Sequence, residues 1–280
     1  MTALAFVLGR PPGRDSILPG VVEALQGRGL PVSVDVASQT VAGPLRARLR
    51  AADLLVLRGL PLPVLQELRT TMDGVAACNP VEATVAARDK AEAHRRLRAA
   101  GVPAPEAVVT DRWSDVLAFG VRRAVVAKAV AGSRGRGVHV GDRPGSLPDD
   151  PPFAGPWLVE ERVPGDGRDR KLYVIGDEVR GVLRTWPPRT LADKLGTVFD
   201  PTPDLAALAR KTAAALGLTL AGVDVIAGPH GPVVVDVNAF PGFKGVPDAA
   251  PRVAAHLAHC WCVATGASRA VGPEVRPCAS

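Results

Sequence analysis

The stretch "VVVDVNAFPGFKGVPDAA", residues Val233 to Ala250, decides how this 280-residue chain is read. Its apolar, β-branched start has the character of a strand, and residues two apart on a strand point to the same side. Asp236 and Asn238 therefore share a face, just before Pro241-Gly242 breaks the run and Lys244 follows. A carboxylate and an amide oxygen side by side are hard ligands of the kind that Mg²⁺ takes. A strand end whose polar pair merely meets solvent before a turn would look the same.

Working outward, "LAGVDVIAG" (Leu220–Gly228) and "GPVVVDVNAF" (Gly231–Phe240) read as a hairpin turning at Gly228–Gly231. Antiparallel pairing brings Asp224 close to the face of Asp236 and Asn238. Each acid in an apolar strand could be held by a salt bridge, but several together point to a cation. Ahead of the hairpin, "DLAALARKTAAALGL" has apolar i, i+3, i+4 spacing and a Gly217 stop, the pattern of a helix. Before it, "WLVEERV", "RKLYVIG" and "EVRGVLRTW" are closely spaced strands, typical of an antiparallel sheet.

Still earlier, "AVVAKAV" and "VHVG" are strands joined by "AGSRGRG". Lys128 lies inside the first, where a lysine is costly to bury without an anionic partner. Gly132, Ser133, Gly135 and Gly137 fill the connection, and glycines let backbone N–H groups converge on an anion and let a loop close. Together they suggest a lid over nucleotide phosphates with Lys128 touching one of them. A plain hairpin loop is the alternative. The spacing is not that of a P-loop, and no helix follows immediately. Glu160 and Glu161 end a strand where backbone groups and a carboxylate could take an adenine edge, and Asp169 could accept from ribose hydroxyls.

The first 80 or so residues alternate differently: "ALAFVLG", "VSVDVA" and "ADLLVLRG" as strands, "LPGVVEALQGRGLP" and "PLPVLQELRTTMDG" as helices. That rhythm predicts a parallel α/β sheet. "NPVEATVAARDKAEAHRRLRAAGVPAPEAVV" then predicts one long amphipathic helix stopped by Gly101 and an extended entry into a strand. The expected division is an α/β domain over 1–82, a central segment with the glycine lid over 83–156, a C-terminal segment with the metal site over 157–266, and a disordered tail over 267–280.

Composition narrows the partners. The hydrophobic share of 47% supports a packed core. The net charge of +6 could suggest nucleic acid, but the arginines are dispersed and aromatics are only 4% of the chain, too few for a stacking platform. An anionic small molecule fits the charge as well. Arginine is the default cation, 28 against six lysines, so each lysine carries weight. Of the four cysteines, Cys260 and Cys262 lie beside His256 and His259, but "HxxHCWC" matches no familiar zinc spacing, and idle thiols in a reducing cytosol are expected. The start "MTALAFVLGRPPGRDS" lacks a basic leader, and no run approaches the ~20 apolar residues of a membrane span, so a soluble, cytoplasmic protein is expected.

The ordered set Lys90, Lys128, glycine loop, Glu160-Glu161, then Asp224 and Asp236-x-Asn238 resembles the ATP-grasp superfamily. "RDKAEAHRRLRAAGVPAPEAVV" looks like its helix with the first nucleotide lysine, and "GRDRKLYVIGDEVRGVLR" and "DVNAFPGFKGV" look like its RimK-type branch, which joins amino acids to carboxylates. The likeness runs over about residues 1–262. It implies an ATP-grasp fold, α/β and α+β, with a pre-ATP-grasp parallel α/β domain and an antiparallel sheet in the C-terminal part. It implies Lys90, Lys128, Gly132, Ser133, Gly135 and Gly137 at the phosphates, Glu160, Glu161 and Val163 at adenine, and Asp169 at the ribose. Asp224, Asp236 and Asn238 would hold one or two Mg²⁺ ions, with Mn²⁺ an alternative. Arg184, Lys171 and Asn238 would act on the transferred phosphoryl group or the acyl phosphate. The implied substrates are a small carboxylate and an amine, with a peptide or carrier protein as a further acceptor. Neither nucleic acid nor membrane is implied, and a homo-oligomer is common in such a family. Position 171 is Lys where the glutamate-ligase branch usually has Arg, and position 236 is Asp where Glu is commoner. "DVNAFPGFKGV" and the lysine of "RKLYVIG" also resemble inositol trisphosphate kinases, which share the fold but phosphorylate an alcohol; the glycine lid "GSRGRGV" is ligase-like.

Overall fold

The computed structural model of the chain describes residues 3–133, 136–186 and 190–267. Gly135 and residues 268–280 of the expected tail lie outside the described residues. In chain order, β1 (Leu4–Leu8), α1 (Leu18–Gln26), β2 (Val32–Val36), α2 (Gly43–Arg50), β3 (Leu54–Arg58), α3 (Leu62–Thr71) and β4 (Ala77–Cys78) alternate. Then come α4 (Val81–Arg88), α5 (Lys90–Ala99), β5 (Ala107–Thr110), α6 (Trp113–Gly120), β6 (Val125–Ser133) and β7 (Arg136–Gly141). β8 (Trp157–Glu161), β9 (Arg168–Ile175), β10 (Glu178–Thr185), α7 (Leu191–Leu195) and β11 (Thr197–Phe199) follow. α8 (Pro203–Leu216), β12 (Leu220–Gly228), β13 (Gly231–Ala239) and α9 (Ala249–Thr265) complete the described chain.

Two compact units result: residues up to Val81 with those from Pro247 onward, and Glu82–Val246. The first holds a parallel sheet in the order β2-β1-β3-β4. β1 is buried at every position, as an unbroken apolar run between two helical layers should be. α9 packs against α1, so close that a Cβ on Gly20 would sit 3.1 Å from the Ala250 side chain. The last segment, carried to residue 266 from the sequence, thus gives its final helix to the first unit. α2 was not foreseen because "GPLRARLR" buries only Leu49 and offers no apolar stripe.

The second unit contains two antiparallel sheets, β5-β8-β6-β7 and β11-β10-β9-β12-β13. The single long helix expected before Gly101 is two. Asp89 leaves helical geometry at φ −89°, ψ 108°, and its carboxylate accepts the backbone N–H of Glu92 at 3.0 Å. That N-cap restarts the chain as a new helix with Lys90 at its first position. α6 packs Trp113 and Val116 on the Val125, Ala127 and Val159 face of the smaller sheet. α5 and α8 cover the Leu172, Val174, Val223 and Val237 face of the larger one. Strand alternation then leaves Lys128 and Glu160 on the opposite side of the first sheet, and Lys171, Asp224 and Asp236 on the opposite side of the second. Among the described residues no helix is long and apolar enough to cross a membrane.

Candidate active site

β9, β12 and β13 place Lys171, Asp224 and Asp236 directly across from one another in a single row. Two residues along, Asn238 lies opposite Gly222, which in turn lies opposite Tyr173. A Cβ at Gly222 would approach Pro241 to 3.0 Å and the Lys171 side chain to 3.5 Å, so glycine keeps room beside the row. On the other flank Asp169 lies opposite Arg184 of β10. One sheet face therefore carries Asp169, Lys171, Arg184, Asp224, Asp236 and Asn238.

The smaller sheet reaches this face where the larger one carries a bulge. The β12–β13 register slips after Asp224: Asp224 pairs with Asp236 but Val225 pairs with Val234, leaving Val235 as an extra residue. The slip keeps both Val234 and Val237 in the core and turns the Val235 carbonyl outward, where it accepts Lys128 Nζ at 2.7 Å. Lys128 also forms an ion pair with Glu160, the two side chains only 11% and 6% exposed. His94 Nδ1 lies 3.6 Å from the same Glu160 carboxylate. Lys90 Nζ meets Asp236 Oδ1 at 2.6 Å, and Asn238 Nδ2 donates to Asp236 Oδ2 at 3.0 Å. Lys171 is bound to Asp224. Two lysines from one side and three oxygen-bearing residues from the other thus converge, joined by the Lys90–Asp236 bridge. Lys90, His94, Lys128, Leu158, Glu160 and Asp236 line a common cleft.

Charge is closely matched. Burial would raise the Asp236 carboxyl, but Lys90 and Lys128 hold it well below the usual carboxylate range. Burial would likewise lower Lys171, but Asp224 beside it keeps the ammonium charged. Asp169 is the exception. Burial and the neighbouring Asp224 push it up to about 7, against the pull of Lys171 and Arg184. Its Oδ1 is buried without a hydrogen-bond partner among the described residues, as is Arg184 Nε. Arg184 is anchored instead through Nη2, which donates to the Tyr173 hydroxyl at 2.8 Å and to the Lys244 carbonyl at 3.1 Å. Two polar atoms left unsatisfied among the described residues, on the face holding the acids, are what a site awaiting ligands should leave.

The Asp169 shift has a stability consequence. The unfolded carboxyl titrates near ~3.9. Between about pH 4 and the folded value of about 7, the folded chain holds a proton that the unfolded chain has lost. Folding is therefore penalised increasingly as pH rises through that window, and the penalty disappears on acidification. Without divalent cations, Asp169→Asn should be more thermostable than the parent at pH 8 and equal to it near pH 4. Melting curves across that range check the sign.

Gly132 and Ser133 end β6 and Gly137 lies in β7. Gly137 has φ +70°, and a Cβ there would come within 2.7 Å of the Ala129 side chain, so the connection needs glycine at this point. Arg88 Nη1 donates to the Gly132 carbonyl at 2.8 Å, tying the loop's start to the end of α4. At the other strand end the Glu161 side chain is exposed, its N–H donates to the Glu106 carbonyl at 2.8 Å, and Arg162 N–H donates to Ala124 at 2.9 Å. Both of these N–H groups pair with backbone carbonyls of the neighbouring chain segments. Val163 packs under the hairpin, 3.2 Å from where a Gly228 Cβ would stand. Asp169 lies with Arg184 and Asp224 on the acid face. His94, Tyr173, Arg88 and the Val235 carbonyl were not anticipated. Only His94 left a trace, standing one helical turn after Lys90.

Mg²⁺ fits this donor set: two carboxylates and an amide oxygen on adjacent strands, with no sulfur ligand among them. An antiparallel sheet of acids facing a sheet with a buried lysine and a glycine connection defines a nucleotide-dependent enzyme of the ATP-grasp type. Solved structures agree on the fold. D-cycloserine synthetase DcsG superposes with a TM-score of 0.71 at 19% identity, covering 92% of this chain and 99% of that one. The ATP-grasp ligase PsnB, complexed with a precursor peptide and AMPPNP, gives 0.63 at 20% identity over 93% of this chain and 97% of its own.

Sequence comparison is more specific. A family model described as the RimK-like ATP-grasp domain matches residues 87–259. A probable alpha-L-glutamate ligase of Xanthomonas euvesicatoria pv. vesicatoria (strain 85-10) is 31% identical over 203 residues, 66% of this chain and 69% of that protein. The chain belongs to the RimK-like ATP-grasp family. Its activity is accordingly that of an ATP-dependent carboxylate–amine ligase forming C–N bonds, and the kinase reading of the C-terminal motif is set aside.

Proposed function

We propose that this ligase joins the carboxylate of an amino acid or short peptide to an amine by way of an acyl phosphate. The observation that carries the reading is the row Lys171–Asp224–Asp236 across three strands, bridged by Lys90 to the lysine side of the cleft. Glutamate is the first carboxylate to test, since the relative from Xanthomonas is named as a glutamate ligase. A peptide acceptor is the second, since the structurally similar PsnB has a structure complexed with a precursor peptide.

In this reading Lys90 and Lys128 leave Asp236 and Glu160 to grip phosphate oxygens, with Gly132 and Gly137 letting the backbone at the ends of β6 and β7 come close to them. Glu160 with its strand neighbours Glu161 and Val163 borders adenine. Asp224, Asp236 and Asn238 hold one or two Mg²⁺ ions, and Mn²⁺ suits the same oxygens. Bound there, the cation neutralises the phosphates and polarises the γ-phosphoryl group. Arg184, held by Tyr173 and the Lys244 carbonyl, presents its unsatisfied Nε to the transferred phosphoryl group. Lys171 steadies Asp224 and adds positive charge on the same side. Asp169 Oδ1 accepts from a hydroxyl or ammonium group of a bound substrate. A carboxylate oxygen attacks the γ-phosphorus and ADP leaves; the amine nitrogen then attacks the carbonyl carbon, the C–O bond to phosphate breaks with its electron pair going to the phosphate, and the nitrogen's proton passes to the departing phosphate. The residues position and neutralise, and no protein nucleophile is needed.

The test is ADP formation against a panel of amino acids and acids, followed by an oxygen-18 experiment. With a labelled carboxylate, the proposal expects label in the released phosphate and none in a phosphorylated product. A stable phosphorylated product without free phosphate would overturn it.

A further inference from the structure

The first unit contains a donor cluster that ATP chemistry does not use. β4 stands at the edge of the parallel sheet, and Cys78 at its end is buried. On α9, His256 and Cys260 are one helical turn apart and so share a face. His256 Nε2 and Cys260 Sγ are 3.5 Å apart. With the Cys78 sulfur included, all three donor atoms lie within 4.8 Å of one another. Ligands at about 2.3 Å (sulfur) and about 2.0 Å (nitrogen) from a tetrahedral ion stand about 3.6–3.8 Å apart. The cluster therefore needs contraction by at most about 1 Å, within reach of rotamer adjustment, to bind an ion of that geometry. A thiol–imidazole hydrogen bond would explain Cys260 and His256 alone. Cys78, which is also hydrogen-bonded to Cys260, brings a second sulfur from a distant part of the chain into the same cluster.

We infer that Cys78, His256 and Cys260 form a binding site for Zn²⁺ that fastens α9 to the edge of the parallel sheet. Two thiolates and an imidazole are soft and borderline ligands, which select zinc over the hard Mg²⁺ served by Asp224 and Asp236. Three protein ligands leave a fourth position for water. His256 and Cys260 are half-buried, which gives the ion a route from solvent. The spacing "HxxHCWC" concealed the site because only two of its members are local; the third is supplied by the sheet edge.

The test uses the full chain carrying Cys262→Ser and Cys278→Ser, so that Cys78 and Cys260 are its only cysteines. After equilibration with Zn²⁺ and gel filtration, elemental analysis should find one zinc per chain. Co²⁺ in its place should give thiolate-to-cobalt charge-transfer absorption and the visible bands of a tetrahedral ion. Cys260→Ser and His256→Asn, both at half-buried positions, should each lose the zinc and the cobalt bands while retaining the far-ultraviolet dichroism of the parent. A zinc-selective chelator should lower the melting temperature of the parent and leave His256→Asn unchanged. No zinc on the folded parent, zinc retained by Cys260→Ser, or a Cys78–Cys260 disulfide in its place would each overturn the inference.

Discussion

Asp236→Asn should lower turnover by roughly 10³-fold, the scale on which a preorganised electrostatic contact acts on the reacting phosphoryl group. Folding should suffer little, by about 1–2 kcal/mol, because Asn preserves the shape and an oxygen for Lys90. In the parent, Asp236 spends one oxygen on Lys90 Nζ at 2.6 Å and the other on the Asn238 amide at 3.0 Å. Asn238 can turn its amide over to face the new one with its oxygen, so geometry survives while the charge does not. Side-by-side measurements of ADP formation and thermal melting separate the two effects. Activity within tenfold of the parent would remove Asp236 from the metal site.

Lys128→Met is expected to damage both stability and nucleotide binding, for different reasons. Methionine fills the stem's volume but leaves the Glu160 carboxylate buried, 6% exposed, with His94 at 3.6 Å as its remaining ion-pair partner among the described residues. Breaking a buried pair from one side costs about 3–5 kcal/mol. At about 2–4 °C per kcal/mol for a unit of this size, the melting temperature should fall by roughly 10 °C. Adding Glu160→Leu removes the stranded charge and should restore most of that loss. It should not restore ATP binding, because the ammonium that reaches the Val235 carbonyl at 2.7 Å remains absent. If the double variant bound ATP like the parent, Lys128 would be a structural lysine only.

The site's outline was legible because it rests on short-range rules. Period-two alternation put Asp236 and Asn238 on one face, and the tight turn at Gly228–Gly231 brings the two strands together so that Asp224 falls beside that face, although it is the bulge that sets it opposite Asp236 rather than Val235. Lys128 was conspicuous as a lysine in an apolar strand. What escaped notice depends on events the pattern does not encode. The bulge at Val235 leaves no mark in a run of three valines, yet it supplies the carbonyl that Lys128 holds. Tyr173 and Arg184 meet only because β9 and β10 pair and Lys244 returns over them. The amphipathic pattern across Arg88-Asp89-Lys90 runs on smoothly, while the Asp89 cap interrupts the backbone. The docking of α9 on α1 is long-range in sequence and lay beyond any local signal.

Everything assigned to the cleft rests on one nucleotide meeting Lys90 and Lys128 on one side and Asp224, Asp236 and Asn238 on the other. Titration calorimetry with a non-hydrolysable ATP analogue, with and without Mg²⁺, tests that directly. Binding should require Mg²⁺, and should weaken at least about tenfold, roughly the 1.4 kcal/mol of one lost charged contact, in Lys90→Met and in Asp236→Asn alike. Equal affinity without Mg²⁺, or undiminished binding in either variant, would contradict it.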